Sequence, residues 1–510
     1  MSKIKEKILE VAGGEKVTSS TITALVLGVV IAVNAIVYAL TFGYGLYLYY
    51  PETQDLTISG ATDSLFANVS EDAKVKVLFC RAESEFEANA TNDEVTVFHN
   101  TASQFKERYP NLIELEYVNI LTKRNSKGEL VDLTQYQMRD EENDVTYPLY
   151  ATSVIFINEA MDQHRVLTDV ASSAFTYTSS SSNAYSSYNG EEVFAAMVSW
   201  VLAKEHKSAY FTTYHGEVAD VFFANLLTCA GYSVETIDIR KDNIPEDADL
   251  LVISNPSKDF EESAEGSKVV SEMDRLRYFA SNGGNIYVAL DPYVSKLHNL
   301  EAFLLDYGIS FSVTEKDGKT FRNIVKDNDN AITADNFTLI AEVEDNKYGS
   351  AISEILEEYE SGKVVLRECA ALELSAGAEA LFKTSSSSSV YASGEKVSST
   401  GNYCVGAMSA TKNNDGTKNG NIVVIPTIYL TANDALTTSG YANRDFLYAM
   451  FDCIFGLDSL PYGCSPVYVN NETLENLTMK TARIYTFFIL MVPAIVAACG
   501  IVIVTRRKHR

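Results

Sequence analysis

Basic residues are scarce in this sequence. Its 510 residues include 41 Lys and Arg against 68 Asp and Glu, which gives a formal net charge of −27. Only Glu6, Glu10 and Glu15 among the acidic residues lie outside residues 52–480, so the negative charge is concentrated within that range. A chain of this charge is repelled by nucleic acid and by anionic lipid surfaces, and we expect neither as a partner.

Metal-binding and redox motifs are missing as well. The seven cysteines contain no C-x-x-C pair, which argues against a zinc ribbon or a redox motif, and the six histidines contain no pair at i, i+4. Asp327, Asp329 and Asp335 loosely resemble a calcium loop. Ile332 and Thr338 stand where such a loop needs Gly and Glu, so a solvated loop is favoured. We predict no metal and no cofactor.

Catalytic motifs are equally scarce. Ser254, at the end of a predicted strand, is a conceivable nucleophile, but no G-x-S-x-G motif surrounds it. Cys229 falls inside a predicted helix rather than on a sharp strand-to-helix turn. Residues 318–320 (GKT) resemble the end of a P-loop, but Val313 stands where the first glycine belongs. We therefore predict no enzymatic activity and no catalytic residue.

The cysteines leave disulfide pairing open. An oxidising exterior would allow bonds among the six cysteines that precede Cys499, and Cys453 and Cys464 are the nearest pair in sequence. Cys80, Cys229 and Cys453 stand in apolar runs, which is typical of buried free thiols.

Two long apolar segments lie near the ends of the chain. Residues 21–50 carry no formal charge and residues 483–504 carry one, so each exceeds the roughly 20 residues that cross a bilayer as a helix. Basic residues flank both segments on their outer sides: Lys3, Lys5, Lys7, Lys16, Arg506, Arg507, Lys508 and Arg510. This predicts a bitopic protein of the cell membrane with residues 1–20 and 505–510 cytoplasmic and residues 52–480 extracytoplasmic. Cleavage of the first segment as a signal peptide is the disfavoured alternative, because no clean A-x-A site follows it.

Two residues inside these segments favour contact with another membrane protein. Asn34 is polar and Pro493 disrupts helical hydrogen bonding, and such positions usually face protein rather than lipid. We predict that both pack against a partner within the membrane.

The extracytoplasmic part begins with a small α/β domain, residues 51–170. Strand patterns at residues 75–79, 113–118 and 152–157 surround a helical stretch at 95–108, which predicts a partly parallel sheet. A Ser- and Tyr-rich loop follows at residues 171–190.

Residues 191–310 alternate between helix and strand patterns. Predicted strands lie at residues 208–212, 234–239, 249–254 and 285–290, and predicted helices at 191–204, 221–229 and 273–280. Apolar runs such as LLVI are typical of a doubly wound, mostly parallel sheet that is covered on both faces. Residues 311–457 are a β-rich extension, whose last strand (421–426) and helix (444–454) close the α/β domain, and residues 458–482 are a connector.

A turn after the first strand of this domain is the best candidate site. His215, Gly216 and Glu217 follow that strand, and Asn255 and Asp291 follow two others. Open α/β sheets place ligands beyond the carboxyl ends of their strands, so these five residues predict a binding or docking site. The favoured alternative is structural, with His215 and Glu217 capping the following helix.

Several sequence blocks, taken together and in order, resemble the GldG-like family of auxiliary components of gliding-motility-type ABC transport systems. They are YFTTYHGE (210–217), NIPEDADLLVISNP (243–256), YFASNGGNIYVALDP (278–292) and LEAFLLDYGI (300–309), with further landmarks at 188–202, 381–388 and 441–447. The resemblance covers most of residues 55–457. It implies a glutamine-amidotransferase-like fold and a role beside an ABC permease and ATPase. The family usually shows Gly-His-Gly-Glu where this chain has Tyr214 before His215, which argues against close backbone approach there.

The resemblance and the predicted topology together indicate a function. We expect a non-enzymatic, membrane-anchored accessory subunit of an ABC-type transport system, which scaffolds the permease and presents its outer domain to a partner in the cell envelope. One alternative is a free-standing surface protein that binds a polysaccharide or a peptide. Another is a divergent hydrolase that depends on Ser254 or His215.

Overall fold

The computed structural model describes residues 56–468, apart from residues 68, 89–92, 141–144, 178–184, 219–220, 265–268, 360, 376, 399, 413–418, 439, 458–459 and 465. The predicted membrane spans at 21–50 and 483–504 lie outside the described residues, as do Asn34 and Pro493. Within the described ranges, no helix is both long enough and apolar enough to cross a bilayer.

The N-terminal part of the described chain builds a five-stranded sheet. Its elements are α1 (Ala61–Phe66), β1 (Val75–Phe79), α2 (Glu83–Ala88), α3 (Glu94–Arg108), β2 (Ile113–Asn119), β3 (Arg124–Asn125), β4 (Arg139–Asp140), β5 (Val145–Thr146), β6 (Val154–Asn158), β7 (Gln163–Leu167), α4 (Val170–Ala174), β8 (Phe175–Tyr177) and β9 (Tyr185–Tyr188). The strand order is β3-β2-β1-β6-β7, with β1 parallel to β2 and the other pairs antiparallel. The predicted partly parallel sheet is therefore confirmed.

The middle part alternates between helices and strands. Its elements are α5 (Gly190–Leu202), β10 (Lys207–Thr212), α6 (Val221–Cys229), β11 (Tyr232–Ile237), β12 (Ala248–Ser254), α7 (Glu272–Ser281), β13 (Asn285–Ala289) and α8 (His298–Asp306).

The last part is rich in short strands. Its elements are β14 (Ile309–Phe311), β15 (Val313–Lys316), β16 (Lys319–Arg322), β17 (Ile324–Lys326), β18 (Thr338–Ile340), β19 (Glu342–Val343), α9 (Lys347–Glu358), β20 (Val365–Arg367), β21 (Leu372–Leu374), β22 (Ala378–Lys383), β23 (Ser389–Ala392), β24 (Glu395–Lys396), β25 (Cys404–Lys412), β26 (Asn419–Ile425), α10 (Asn433–Thr437), α11 (Asn443–Cys453) and β27 (Val467–Tyr468).

The second sheet has ten strands and is mixed. Five of them run parallel in the order β11-β10-β12-β13-β26, which confirms the doubly wound parallel arrangement for that half. The other five, β25, β22, β21, β19 and β14, join by antiparallel pairing. The β-rich extension thus continues the same sheet, and the fold is a mixed α/β fold.

Both faces of the central parallel strands β12, β13 and β26 are buried, which explains their nearly continuous apolar sequences. In β12, Leu250 and Val252 face one core while Leu251 and Ile253 face the other. Helices α6 and α11 contribute to the first core, and α7 and α8 contribute to the second. Period-two alternation of side chains along a strand produces this division.

Helix α5 connects the two sheets. Its Phe194 stacks on Phe105 of α3 at a centroid distance of 4.4 Å and packs edge-on against Phe156 of β6. Its Glu192 is buried, pairs with the guanidinium of Arg444 and accepts a hydrogen bond from the hydroxyl of Tyr448, both on α11. A buried carboxylate needs such partners, because an unpaired charge in a protein interior is strongly destabilising.

Candidate functional site

The five predicted site residues all lie at the carboxyl edge of the parallel strands. His215, Gly216 and Glu217 follow β10, Asn255 directly follows β12, and Asp291 lies two residues after β13. β10 lies between β11 and β12, so the winding direction of the chain reverses between β10 and β12. Such a switch point is where open α/β sheets bind ligands. The structure therefore brings the predicted residues to one edge of the sheet.

The imidazole of His215 lies between two carboxylates. Its Nδ1 is 3.1 Å from Glu217 Oε1, and its Nε2 is 3.1 Å from both carboxylate oxygens of Glu272. The ring also stacks on Phe260 with centroids 4.1 Å apart. His215 and Glu272 are each only 3% exposed. Both ring nitrogens are thus occupied by carboxylates in a site that excludes most water.

The two carboxylates favour the charged form of the ring. Burial by itself lowers the pKa of His215, but the hydrogen bond with Glu217 and the charges of Glu272 and Glu217 outweigh burial and raise it above the ordinary 6.5. For Glu217, burial raises the pKa, but hydrogen bonds from His215 and the main chain bring it below the ordinary 4.5. The contact is a buried, charge-assisted hydrogen bond in which each partner stabilises the ionised form of the other.

Glu272 was not among the predicted site residues. Ser271 and Asp274 form a capping box that begins α7, and this makes Glu272 the first residue of the helix. A carboxylate at that end is favoured by the helix dipole. Glu272 also accepts a hydrogen bond from the main-chain N–H of Glu261 at 2.5 Å. The Ser-x-x-Asp spacing is a capping signal that could have located the helix start, but it does not indicate which distant side chain Glu272 would meet.

The turn after β10 is tied to the loop after β12 through the main chain. The carbonyl oxygen of His215 accepts hydrogen bonds from the N–H groups of Ser257 and Lys258, both at 2.9 Å. Gly216 has a φ of +76°, and a Cβ at this position would lie 2.2 Å from Ser257 Oγ. A side chain is excluded there both by the backbone conformation and by the close approach of the second loop.

Tyr214 has an unusual backbone conformation next to this glycine. Its φ is +76°, in the left-handed region that favours glycine. Its ring lies under Arg240 and Lys241, 4.2 and 5.3 Å from the ring centroid, and both cations pair with Asp238. The departure from Gly-His-Gly-Glu therefore occurs at a position whose backbone suits glycine, and it places an aromatic ring on the surface.

Asn255 and Asp291 form a second contact at the same edge. Asn255 Oδ1 accepts a hydrogen bond from the Asp291 N–H at 3.0 Å, and the Asn255 N–H donates to Ala289 O at 2.7 Å. Asp291 Oδ1 accepts from the N–H of Tyr293 at 2.8 Å, and its carbonyl accepts from Arg322. These two residues hold the loops after β12 and β13 together.

Ser254 is held by the same network of loops. Its hydroxyl donates to the carbonyl oxygen of Val218 at 2.9 Å, and its carbonyl accepts from the Val218 N–H at 3.0 Å. The ring nitrogens of His215 are directed at Glu217 and Glu272 instead. This geometry differs from a nucleophile–base pair, in which the histidine accepts the hydroxyl proton.

Capping of α6 by His215 and Glu217 stays a prediction, because residues 219–220 before this helix lie outside the described part of the chain. The described hydrogen bonds show where Glu217 is engaged. Its carboxylate accepts from both the main-chain N–H and the ring of His215, so it orders the turn itself.

The carboxylate of Asp327 connects its own loop with the segment around Ser385. Its carboxylate accepts hydrogen bonds from the N–H groups of Asp329, Asn330 and Ser385 and from the hydroxyl of Ser385. Burial raises its pKa, but these donors outweigh burial and lower it. Among the described residues, no group of three or more His, Cys, Asp or Glu side chains could hold a metal ion.

The six cysteines that precede Cys499 are free thiols in the structure. Cys80 and Cys229 are buried, as their apolar neighbours predict, and Cys453 is partly buried. Burial raises the pKa of the Cys80 and Cys229 thiols to about 12, so neither forms a reactive thiolate at neutral pH.

Comparison with known proteins gives structural likenesses of low sequence identity. No family model matches the chain, and no curated protein matches it. The N-terminal domain of mmIFT52 is 17% identical, and the match covers 48% of this chain and 96% of that domain, with a TM-score of 0.34. A ThuA-like protein from Bacteroides uniformis is 14% identical over 49% of this chain and 91% of its own, with a TM-score of 0.30. A cytoplasmic protein from Salmonella typhimurium is 12% identical over 49% of this chain and 98% of its own, with a TM-score of 0.29.

Proposed function

We propose that this chain is a non-enzymatic, membrane-anchored accessory subunit of an ABC-type, gliding-motility-like transport system. Its two predicted spans pack against the permease, which works with an ATPase. Its extracytoplasmic part, a glutamine-amidotransferase-like domain, meets a partner in the cell envelope. The proposal rests on the GldG-like sequence blocks together with the predicted topology, and the geometry at the switch point adds physical support.

The single structural observation that favours a non-enzymatic role is the engagement of His215. Both of its ring nitrogens contact carboxylates, and its main-chain oxygen accepts two hydrogen bonds from the next loop. A general base must have a ring nitrogen that can accept a proton from substrate or nucleophile. The raised pKa works against this too, because a protonated imidazole has no lone pair to act as a base.

The exposed surface of the same edge supports docking of a protein partner. Tyr214, Val218 and Tyr293 are 60%, 52% and 62% exposed, and they lie beyond the ends of β10 and β13. Arg240 and Lys241 beside Tyr214 add cations to a chain that is acidic overall. Exposed Tyr and Arg on a well-ordered support are the residues that most often dominate protein–protein binding energy.

The proposal is tested by purifying the intact chain from its own membranes in mild detergent through a tag at Arg510. The accessory role requires that an ABC permease and an ATPase accompany it. Asn34→Leu and Pro493→Ala should reduce the recovered permease, because both residues are proposed to pack against it. If no permease is recovered with the unaltered chain under any mild condition, the proposal fails, and a free-standing binding protein becomes the better account.

A further inference from the structure

A cavity at the edge of the first sheet contains an arginine that has no acidic partner among the described residues. The cavity has a volume of about 430 Å³ and extends along β7, with walls from the segment before β4 and from helices α4, α5 and α6. This volume is within the range of roughly 300–1,000 Å³ that small-molecule sites occupy. It lies on the first sheet, away from the turn that contains His215.

Arg165 of β7 lies on the wall of this cavity. Its guanidinium donates to the main-chain oxygens of Thr228 at 3.5 Å and Tyr232 at 3.2 Å, and it stacks over the ring of Trp200 at 4.7 Å. In the described part of the chain it forms no ion pair. A guanidinium has five N–H donors. Two of them donate to these carbonyl oxygens, which leaves three N–H groups that could bind a ligand.

An unpaired cation in a largely buried position is costly unless something neutralises it. Burial lowers the pKa of Arg165 to about 10, which still leaves the side chain protonated at neutral pH. Asp169 supplies the one carboxylate among the described residues that line the cavity, and it accepts the Ser172 N–H as the cap of α4. Among the described residues, no carboxylate therefore forms an ion pair with the Arg165 guanidinium.

The rest of the wall shows what kind of molecule would fit. Met197 and Val193 of α5 form an apolar side, while Asn225 and Thr228 of α6 offer hydrogen-bonding groups. One cation matches a monoanion, whereas a phosphate dianion would keep an uncompensated charge within an acidic protein. The planar fork of arginine also matches the two oxygens of a carboxylate.

We propose that this cavity binds an organic monocarboxylate, whose carboxylate group pairs with Arg165 and whose body lies between α5 and α6. The site does not depend on the proposed transport role, because it uses only residues of this chain. It would give the extracytoplasmic domain a ligand of its own.

Trp200 provides a direct readout, since it is the only tryptophan in the chain and its ring contacts Arg165. The full-length protein in mild detergent is titrated with sodium acetate, with acetamide as the uncharged isostere and inorganic phosphate as the competing anion, at constant ionic strength. We expect a saturable change in Trp200 fluorescence with acetate, none with acetamide, and weaker binding of phosphate than of acetate.

Two variants and a control locate the site. Arg165→Gln should weaken acetate binding about tenfold or more, because it removes a charge-assisted hydrogen bond. Asn225→Leu leaves the partners of Arg165 in place, narrows the cavity and should also weaken binding, so the test does not depend on folding of the arginine variant. Arg277→Gln, at an exposed arginine of α7, should leave the titration unchanged. The proposal is overturned by any of three results: no saturable response to acetate, tighter binding of phosphate than of acetate, or unchanged binding in both Arg165→Gln and Asn225→Leu.

Discussion

The ring of His215 and the carboxylate of Glu272 lie 3.1 Å apart in the protein interior, although 57 positions separate them in the chain. The carboxylate of Glu217 contacts the other ring nitrogen, Nδ1. One imidazole therefore connects the turn after β10 with Glu272, the first residue of α7. The loop after β12 bonds to the main chain of the same histidine. His215 therefore organises the switch-point edge, and its charge state should govern the stability of that edge.

The stability of the folded chain should depend on pH through His215 and Glu217. The raised pKa of His215 gives a stabilisation that is complete below its ordinary value of 6.5 and is lost as pH rises through the folded value. The lowered pKa of Glu217 gives a stabilisation that is present above its ordinary value of 4.5 and is lost as pH falls. Both contributions are present together between pH 4.5 and pH 6.5, so the thermal midpoint of unfolding should be highest in that interval. It should decline as the pH rises above 6.5.

His215→Gln is the variant that checks this dependence. The difference in thermal midpoint between the unaltered chain and the variant should shrink as pH rises above 6.5, the ordinary pKa of the ring. His298→Gln, at an exposed histidine, serves as the control and should follow the unaltered profile. A difference that stays constant from pH 5 to pH 9 would show that the charge of His215 does not contribute.

Gly216 should tolerate substitution much less well than another glycine with the same backbone conformation. Gly216→Ala forces both a positive φ and a contact with Ser257 Oγ, and we expect a loss of about 2–4 kcal/mol in the free energy of unfolding. Gly128 has a φ of +80° with nothing near its Cβ position, so Gly128→Ala should cost about 1 kcal/mol. Equal losses in thermal or denaturant unfolding would mean that the two loops are not in close contact.

The sequence predicts the alternating helices and strands well and the long-range contacts poorly. The predicted loop at 171–190 is wrong in part, because α4, β8 and β9 lie there. Helix α6 and strands β10, β12 and β13 follow from apolar periodicity and glycine-containing turns, and they lie within two residues of the predicted bounds. The partners of His215 do not follow in the same way. Local patterns place Glu217 in the turn, but only the folded chain brings α7 close enough for Glu272 to reach the ring.

Two further features could not be predicted for similar reasons. The positive φ of Tyr214 is a conformation that side chains rarely adopt, and tertiary contacts with Arg240 and Lys241 accompany it. The pairing of β25 with β26 joins the β-rich extension to the parallel strands, and no residue pattern specifies which sheet such a strand enters.

Removing Arg444 should be severe because its partner is buried. Arg444→Met leaves the Glu192 carboxylate in the core with Tyr448 and Asn189 as its remaining donors among the described residues, and we expect a loss of about 3–5 kcal/mol in the free energy of unfolding. The exposed pair of Arg277 and Glu262 is the matched control, for which Arg277→Gln should cost less than about 1 kcal/mol. Similar losses in denaturant unfolding would contradict the proposed importance of the α5–α11 contact.

Ser254 should be chemically inert. Its hydroxyl donates to Val218, and no histidine in the described part of the chain accepts its proton, so a fluorophosphonate reagent should not label it. Mass spectrometry of the treated chain would detect any adduct. Labelling at Ser254 that disappears in His215→Ala would instead support a divergent hydrolase.

The composition of the complex that the intact chain forms in its membrane tests the accessory role most directly. The chain is purified through a tag at Arg510 in mild detergent, and the molar ratio of permease and ATPase to this chain is measured at several expression levels. A permease and an ATPase at a fixed ratio are the predicted result. A chain that purifies alone at every expression level would contradict the accessory role.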